Sequence, residues 1–358
     1  MENNMIQTSE RIKWIDAAKF MAIIAVLINH TNDILYTNHY VDYFSYYSVG
    51  LFIVIMGITT MWSYAKDSDA VLKKMQKSCL RILRPYIVAT IIYGVAIYKM
   101  FDFEVLLNHI VRFNMSAPFY YVLLYIQMLL VSPVIFYILE NTRGKRLGLV
   151  YEILGLIVVL WVACWTTNCS NILGVYGGGG KLFGGTYLIL LYIGMWFGKY
   201  YYKININAIS AGVFSVLICV LTIGWWIFIA NNEFQIDSKL PYGGGFNPPS
   251  ISSGVYALLV AATIYFVQML IFHYPNRILE RAMDVMAFLG KHSLYIFLYH
   301  RLFIDVIFPN ISITTGIIIE NVWIRRIVFF GGMIGGSILL EYILENIYKK
   351  ILIIYRTK

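Results

Sequence analysis

Two histidines sit where the sequence offers them little water. His30 ends an apolar run that opens Trp14-Ile15-Asp16-Ala17-Ala18-Lys19, and His300 ends the run Ser293-Leu294-Tyr295-Ile296-Phe297-Leu298-Tyr299-His300. A neutral imidazole can take a proton from a hydroxyl near neutral pH, because an unperturbed histidine titrates near ~6.5. Lys19 and His30 are eleven residues apart. In a helix that is three turns plus about 20°, so they share a face and lie ~16 Å apart along the axis. Asp16 and Asp33 fall within about 60° of the same stripe. Ionisable groups in hydrocarbon are costly and normally face a bundle interior or a wet cavity. The stripe therefore reads as cavity-lining, with blander readings open beside it. Lys19 can snorkel to an interface with Asp16 as its i,i+3 partner, His30 can be a packed, hydrogen-bonded histidine near the other interface, and His300 can be paired with another helix.

The elements that must position these groups are membrane helices. Of the 358 residues, 59% are hydrophobic and only 13% charged, with a mean hydropathy of +0.69. A soluble domain is usually about a quarter charged. Apolar runs long enough to cross a bilayer, ~20 residues each, recur about ten times: near 14–36, 43–65, 82–100, 117–139, 147–167, 183–202, 208–230, 253–272, 283–308 and 324–347. The ninth can begin near Met283 or only at Ser293. The expected fold is all-α, a polytopic integral membrane helix bundle of about ten transmembrane helices. It forms one domain over 1–358 with no separate soluble domain and no cleavable signal peptide.

The net charge of +9 does not call for nucleic acid, because its location explains it. With ten spans and a cytoplasmic N-terminus, 20 of the 28 Lys and Arg fall in inner segments and 7 in outer ones, Lys19 lying within a span. That positive-inside bias predicts a multi-pass protein with both termini cytoplasmic; the expected membrane is the plasma membrane. Cys79, Cys164, Cys169 and Cys219 form no metal-type spacing, so no metal is expected. Cys164 and Cys169 flank an outer loop and are either a disulfide or two unrelated thiols. Two outer loops are rich in Gly and Pro, Asn168–Gly185 with Gly177-Gly178-Gly179-Gly180, and Asn231–Ser253. Neither is a phosphate-binding loop. They read as flexible turns, with the border of a substrate entrance as the other reading.

Trp14-Ile15-Asp16-Ala17-Ala18-Lys19 to His30 resembles the opening of the acyltransferase family 3 membrane proteins, in which an Asp is followed three residues on by an Arg, then ten residues and a His. Lys19 stands where the family usually has Arg. Other blocks agree in order: Ser48-Val49-Gly50-Leu51-Phe52; Lys77 to Arg81, Arg84-Pro85-Tyr86; Phe119-Tyr120-Tyr121 to Ser132-Pro133; Gly184-Gly185-Thr186-Tyr187 to Gly194; and Gly290-Lys291-His292-Ser293 to His300. The resemblance covers nearly the whole chain. It implies transfer of an acyl group, commonly acetyl from acetyl-CoA, to extracytoplasmic sugars of envelope glycans or lipid-linked precursors. Some relatives are membrane domains of amino-acid racemases and some are implicated in export, so membership alone does not fix the reaction.

On that basis the expected donor is cytoplasmic acyl-CoA as co-substrate, with no permanently bound cofactor. The expected partners are the acceptor sugar and the bilayer, and a homo-oligomer is left open. Lys73, Lys74, Lys77, Arg81 and Arg84 would hold CoA phosphates, or are ordinary positive-inside charge. His30 would be general base or transient acyl carrier. Lys19 would hold Asp16 or an anionic part of the donor, as a point charge rather than a planar fork. His300 would orient substrate or share proton transfer. The rival is a transporter or flippase that passes a small solute or lipid-linked sugar through the same cavity.

Overall fold

The computed structural model describes residues 12–169, 171–233, 245–309 and 321–356, with side chains described to Ile351. Most of the Asn231–Ser253 loop lies outside them. The described residues form helices and no strand: α1 (Lys13–His30), α2 (His39–Phe44), α3 (Ser48–Ala65), α4 (Val71–Ala96), α5 (Phe103–Arg112), α6 (Tyr120–Asn141), α7 (Gly148–Asn168), α8 (Tyr187–Tyr200), α9 (Ala208–Asn232), α10 (Ile251–His273), α11 (Arg277–Lys291), α12 (Ser293–Leu302) and α13 (Val322–Arg356). The chain is thus an all-α bundle. By length and composition, seven helical stretches among the described residues can cross a membrane: α2–α3, α4, α6, α7, α9, α10 and α13. The other three expected spans fall on α1, α8 and α12. Charge explains α1, which carries Lys13, Asp16 and Lys19 in its first two turns. Length explains the others, since α8 has 14 residues and α12 has 10.

Side-chain polarity sets the helix boundaries. Asn38, Asp102, Asn207, Ser250 and Asn276 each accept a backbone N–H of the helix that follows, which satisfies donors that the first turn leaves orphaned. Helices α3 and α8 form the centre of the bundle. A Cβ at Gly57 would lie 2.6 Å from the Leu191 carbonyl oxygen, and one at Gly194 would overlap the Val54 carbonyl. Small residues let two membrane helices approach backbone to backbone, where packing rather than water drives association. The outer helices α7, α9 and α13 turn Leu154, Trp161, Val216, Val220 and Leu339 outward. Such surfaces suit a hydrocarbon solvent, and the helical backbone satisfies its own polar groups there.

Contacts between distant segments define two ends. At one, Trp14 donates to the Tyr201 hydroxyl, Trp62 to the Gly198 carbonyl, and Lys199 to the Leu139 carbonyl. The basic segment at the start of α4 joins this end through Lys74, and we call it the basic end. At the opposite end, His39 meets the Ala230 carbonyl, Thr186 donates to the Pro249 carbonyl, and Gly178 N–H donates to Asn247 Oδ1.

Two expectations are refined. The ninth run is not one helix from Met283. Residues Arg277–Lys291 make an amphipathic helix carrying Glu280, Arg281 and Asp284, with Met283, Ala287 and Gly290 on its buried face. The bundle helix starts at Ser293, after a break at His292. Gly290 lets α11 touch α1, since a Cβ there would overlap the Asp16 carbonyl. The Gly177–Gly180 turn is also not an open flexible loop. All four glycines are buried, and a Cβ at Gly178 or Gly179 would collide with the Tyr187 ring or the Tyr120 carbonyl. The missing side chains make room for α6 and α8, so the turn is a packed plug at the opposite end.

Candidate active site

Helix α1 carries Asp16, Lys19 and His30 in that order from the basic end. Asp16 is buried and holds Lys19, whose Nζ lies 3.1 Å from Asp16 Oδ1. This is the i,i+3 pair expected one turn apart. Lys19 is partly exposed, and three turns of helix separate it from His30. Those two residues are therefore not hydrogen-bond neighbours. His30 is at the last residue of α1, and Thr31 closes the helix by donating its hydroxyl to the Leu27 carbonyl at 2.8 Å. Around it, Asn29 donates to Ser45 and the Tyr36 hydroxyl donates to the Ile28 carbonyl.

Helix α12 brings His300 to His30. The two imidazole rings lie 5.0 Å apart, centroid to centroid, tilted by 40°. His300 is fully buried. Its Nδ1 sits 2.7 Å from the Phe297 carbonyl oxygen and 3.2 Å from that of Ile296. Carbonyls only accept, so Nδ1 carries the proton and Nε2 holds the lone pair. Among the described residues nothing hydrogen-bonds Nε2. A buried polar atom without a partner is uncommon and asks for an explanation. A substrate hydroxyl is one. Phe297 packs against Tyr121 of α6, with centroids 5.0 Å apart and the ring planes tilted by 60°, which adds an aromatic wall beside His300.

Arg301 and Asp305 complete the vicinity. Arg301 Nε donates to Asp305 Oδ2 at 3.0 Å, and a second guanidinium nitrogen lies 2.9 Å from Oδ1. This bidentate i,i+4 pair begins at the residue that follows His300 in α12. Arg301 lies in the last turn of α12, and the Asp four residues on is the sequence signal for its pairing. From sequence Tyr93 of α4 was missed. It is buried and binds the backbone of α12 at Leu298 and Leu302.

The basic segment divides. Lys73, Lys77, Arg81 and Arg84 are exposed. Their spacing of i, i+4, i+8 and i+11 puts them within about 80° on one face of α4, over ~16 Å. Lys74 is turned another way: its Nζ donates to the Ser63 carbonyl at 2.7 Å and the Asp67 carbonyl at 3.1 Å, capping α3. Of the two clusters, the paired histidines are at mid-bundle to the opposite end and the basic face is at the basic end.

Among the described residues no group of His, Cys, Asp and Glu is arranged to hold a metal ion. All four cysteines are free, and Cys164 and Cys169 each donate to a backbone carbonyl of their own helix. An apolar cleft of about 570 Å³ opens between α6 and α7, lined by Leu130, Val134, Ile138, Val158 and Val162, and contains neither histidine.

No curated protein and no solved structure matches the chain. A family model described as an acyltransferase domain, Acyl_transf_3, matches residues 12–342, which takes in the α1 stripe, the basic segment of α4 and His300. The chain belongs to acyltransferase family 3, and it is a membrane acyltransferase by that membership and by its bundle of apolar helices.

Proposed function

We propose that the protein transfers an acyl group, acetyl in our reading, from cytoplasmic acyl-CoA to a hydroxyl of an extracytoplasmic or lipid-linked cell-envelope sugar. The observation that carries this reading is the His30–His300 pair, in which His300 is buried with an unpartnered Nε2, in a chain of an acyltransferase family. His30 takes the proton of the acceptor hydroxyl, and the oxygen attacks the thioester carbonyl. The carbon–sulfur bond breaks, and the CoA thiolate recovers the proton from the imidazolium. General-base catalysis of this kind contributes about 10²–10⁴-fold. His300, fixed as the Nδ1–H tautomer, orients the hydroxyl or shares the proton. Acyl transfer through His30 itself, as a covalent carrier, uses the same geometry.

The exposed face of Lys73, Lys77, Arg81 and Arg84 is suited to the CoA phosphates, since charge-assisted contacts to phosphate are strong. In this reading the basic end is cytoplasmic, as the positive-inside bias predicts, and the membrane is the plasma membrane. Asp16 and Lys19 lie between the two clusters along the path of the pantetheine arm.

The test uses purified protein in nanodiscs with radiolabelled acetyl-CoA. Binding of acetyl-CoA, and release of CoA on adding membrane-derived glycan or lipid-linked sugar, is the expected result. A protein that moves a solute across vesicles and neither binds nor consumes acyl-CoA would be a transporter. Orientation is checked by labelling cysteine variants at Ser68, at the basic end, and Asp102, beyond the other end of α4. Labelling of Ser68 from outside intact cells would overturn the cytoplasmic placement.

A further inference from the structure

Helix α12 is interrupted at the residues that follow His300. In an uninterrupted α-helix the Leu302 N–H and the Leu298 carbonyl are each other's partners. Here the Tyr93 hydroxyl binds both, donating to the Leu298 carbonyl at 3.0 Å and accepting from the Leu302 N–H at 2.9 Å. The Phe303 N–H reaches back only to the His300 carbonyl. Residues Phe303–Ile307 then form a π-helical turn, in which the Phe308 N–H bonds the Phe303 carbonyl. Insertion of a side chain into the ladder is a recognised cause of such a bend, and π turns frequently accompany functional sites. His300 is within the two-ended clasp, between the residues that Tyr93 holds. Tyr93 itself is packed edge-on against Phe119 with centroids 5.3 Å apart, so its hydroxyl is held in place from α4 and the start of α6.

We infer that Tyr93 is a positioning residue of the His30–His300 site: its hydroxyl, by replacing one backbone hydrogen bond of α12, sets the rotation of the helix that aims His300 at His30. The inference rests on the acyltransferase reading for its kinetic consequence, though not for its geometric one. Tyr93 touches no reacting atom. It also links α4, whose first turns carry the exposed basic face, to α12, which carries the imidazole.

The test is Tyr93→Phe, which keeps the ring and removes the clasp. The Leu302 N–H and Leu298 carbonyl then pair, the π turn relaxes toward α, and the His30–His300 separation departs from 5.0 Å in a cryo-electron microscopy structure of the variant. In the kinetics, kcat falls roughly tenfold to a hundredfold, the scale of a misplaced catalytic group. KM for acetyl-CoA is unchanged, because the donor's phosphates are bound elsewhere. A general structural role makes a different prediction for the double variant. If Tyr93 acts through His300, adding Tyr93→Phe to His300→Ala costs nothing further, whereas independent effects multiply. If Tyr93→Phe does not accumulate, p-aminophenylalanine at position 93 carries the test. It can donate to Leu298 and accept from Leu302, and it must keep most of the wild-type kcat while p-methylphenylalanine, of the same size, loses it. Unmoved imidazoles in the Phe variant, or multiplicative losses with His300→Ala, would overturn the positioning role. Wild-type protein inert toward every acyl-CoA and acceptor would bring down the acyltransferase reading alone, and the variant's structure would still decide the role of Tyr93.

Discussion

Two polar clusters lie inside this apolar bundle, and they are built on opposite principles. Toward the basic end, Glu152 and Lys199 form an ion pair with almost no solvent exposure, Nζ to Oε1 at 2.5 Å. Every valence around it is met. Lys199 also donates to the Leu139 carbonyl and the Thr142 hydroxyl. Glu152 accepts from Thr142, Trp196 and Tyr200, and its carbonyl accepts from Tyr192. The cluster staples the end of α6 to α7 and α8. The His30–His300 pair has the reverse design, with His300 Nε2 buried and unpartnered. A saturated network rigidifies and specifies structure, whereas an unsatisfied polar group in a dry site is a standing cost. Charge alone therefore does not identify function in a membrane interior. The difference between satisfied and unsatisfied groups is a better guide, and on our proposal it makes Glu152 and Lys199 architecture and the histidines the reacting groups.

The sharpest way to break that comparison is His30→Ala. If His30 is base or acyl carrier, transfer per folded molecule falls about 10²–10⁴-fold while the protein keeps its thermal unfolding profile and its affinity for acetyl-CoA. A merely packed histidine gives the opposite pattern, with lower stability and near-normal specific activity. A stable His30→Ala protein that acylates at the wild-type rate would move the role to His300.

The saturated cluster should respond in stability instead. Lys199→Met leaves Glu152 buried without its cation, and breaking one side of such a pair typically costs about 3–5 kcal/mol. The expected readout is a large drop in thermal stability in detergent, with molecules that remain folded transferring at the normal rate. Replacing both partners, Glu152→Leu with Lys199→Met, removes the uncompensated charge and should restore much of the loss. If Lys199→Met abolishes transfer without touching stability, the division into architecture and chemistry fails.

Much of this was legible in the sequence, for physical reasons that also mark where it stopped. The α1 stripe could be read because eleven residues of a helix fix a face whatever surrounds it. The helical class followed from hydrocarbon-length runs. The pairing of His30 with His300 depends on tertiary contact across 270 residues of chain, which periodicity cannot carry. Lys199 reads as an inner-loop charge because it sits at the end of an apolar run beside Lys203, and nothing local distinguishes a topogenic lysine from one turned back to meet Glu152. The sequence does not fix the break at His292, because α11 is amphipathic while α12 is apolar, and the glycine beside the seam, Gly290, serves close packing of α11 on α1 rather than ending the helix. Tyr93 looks like any aromatic in an apolar helix. Its role lies in one hydroxyl reaching another helix's backbone.

The smallest expected effect separates function from architecture within a single helix. Lys73, Lys77, Arg81 and Arg84 are exposed on one face of α4, whereas Lys74 caps α3 through two carbonyls. Five basic residues that the sequence treats as equivalent should then divide. A hydrogen bond to a charged group is worth about 1.5–3 kcal/mol, and exposure and salt reduce that. Arg81→Gln with Arg84→Gln should therefore weaken acetyl-CoA binding by roughly tenfold at low salt, with the deficit shrinking as ionic strength rises. Lys74→Gln should leave that affinity alone and lower thermal stability slightly, as loss of a cap does. Isothermal titration of the two variants against acetyl-CoA decides the matter. Equal affinity in both, with intact folding, would mean that the exposed face serves membrane topology and that the CoA phosphates are held by other groups. Equal loss in both would mean that Lys74 leaves its carbonyls to join the phosphate site.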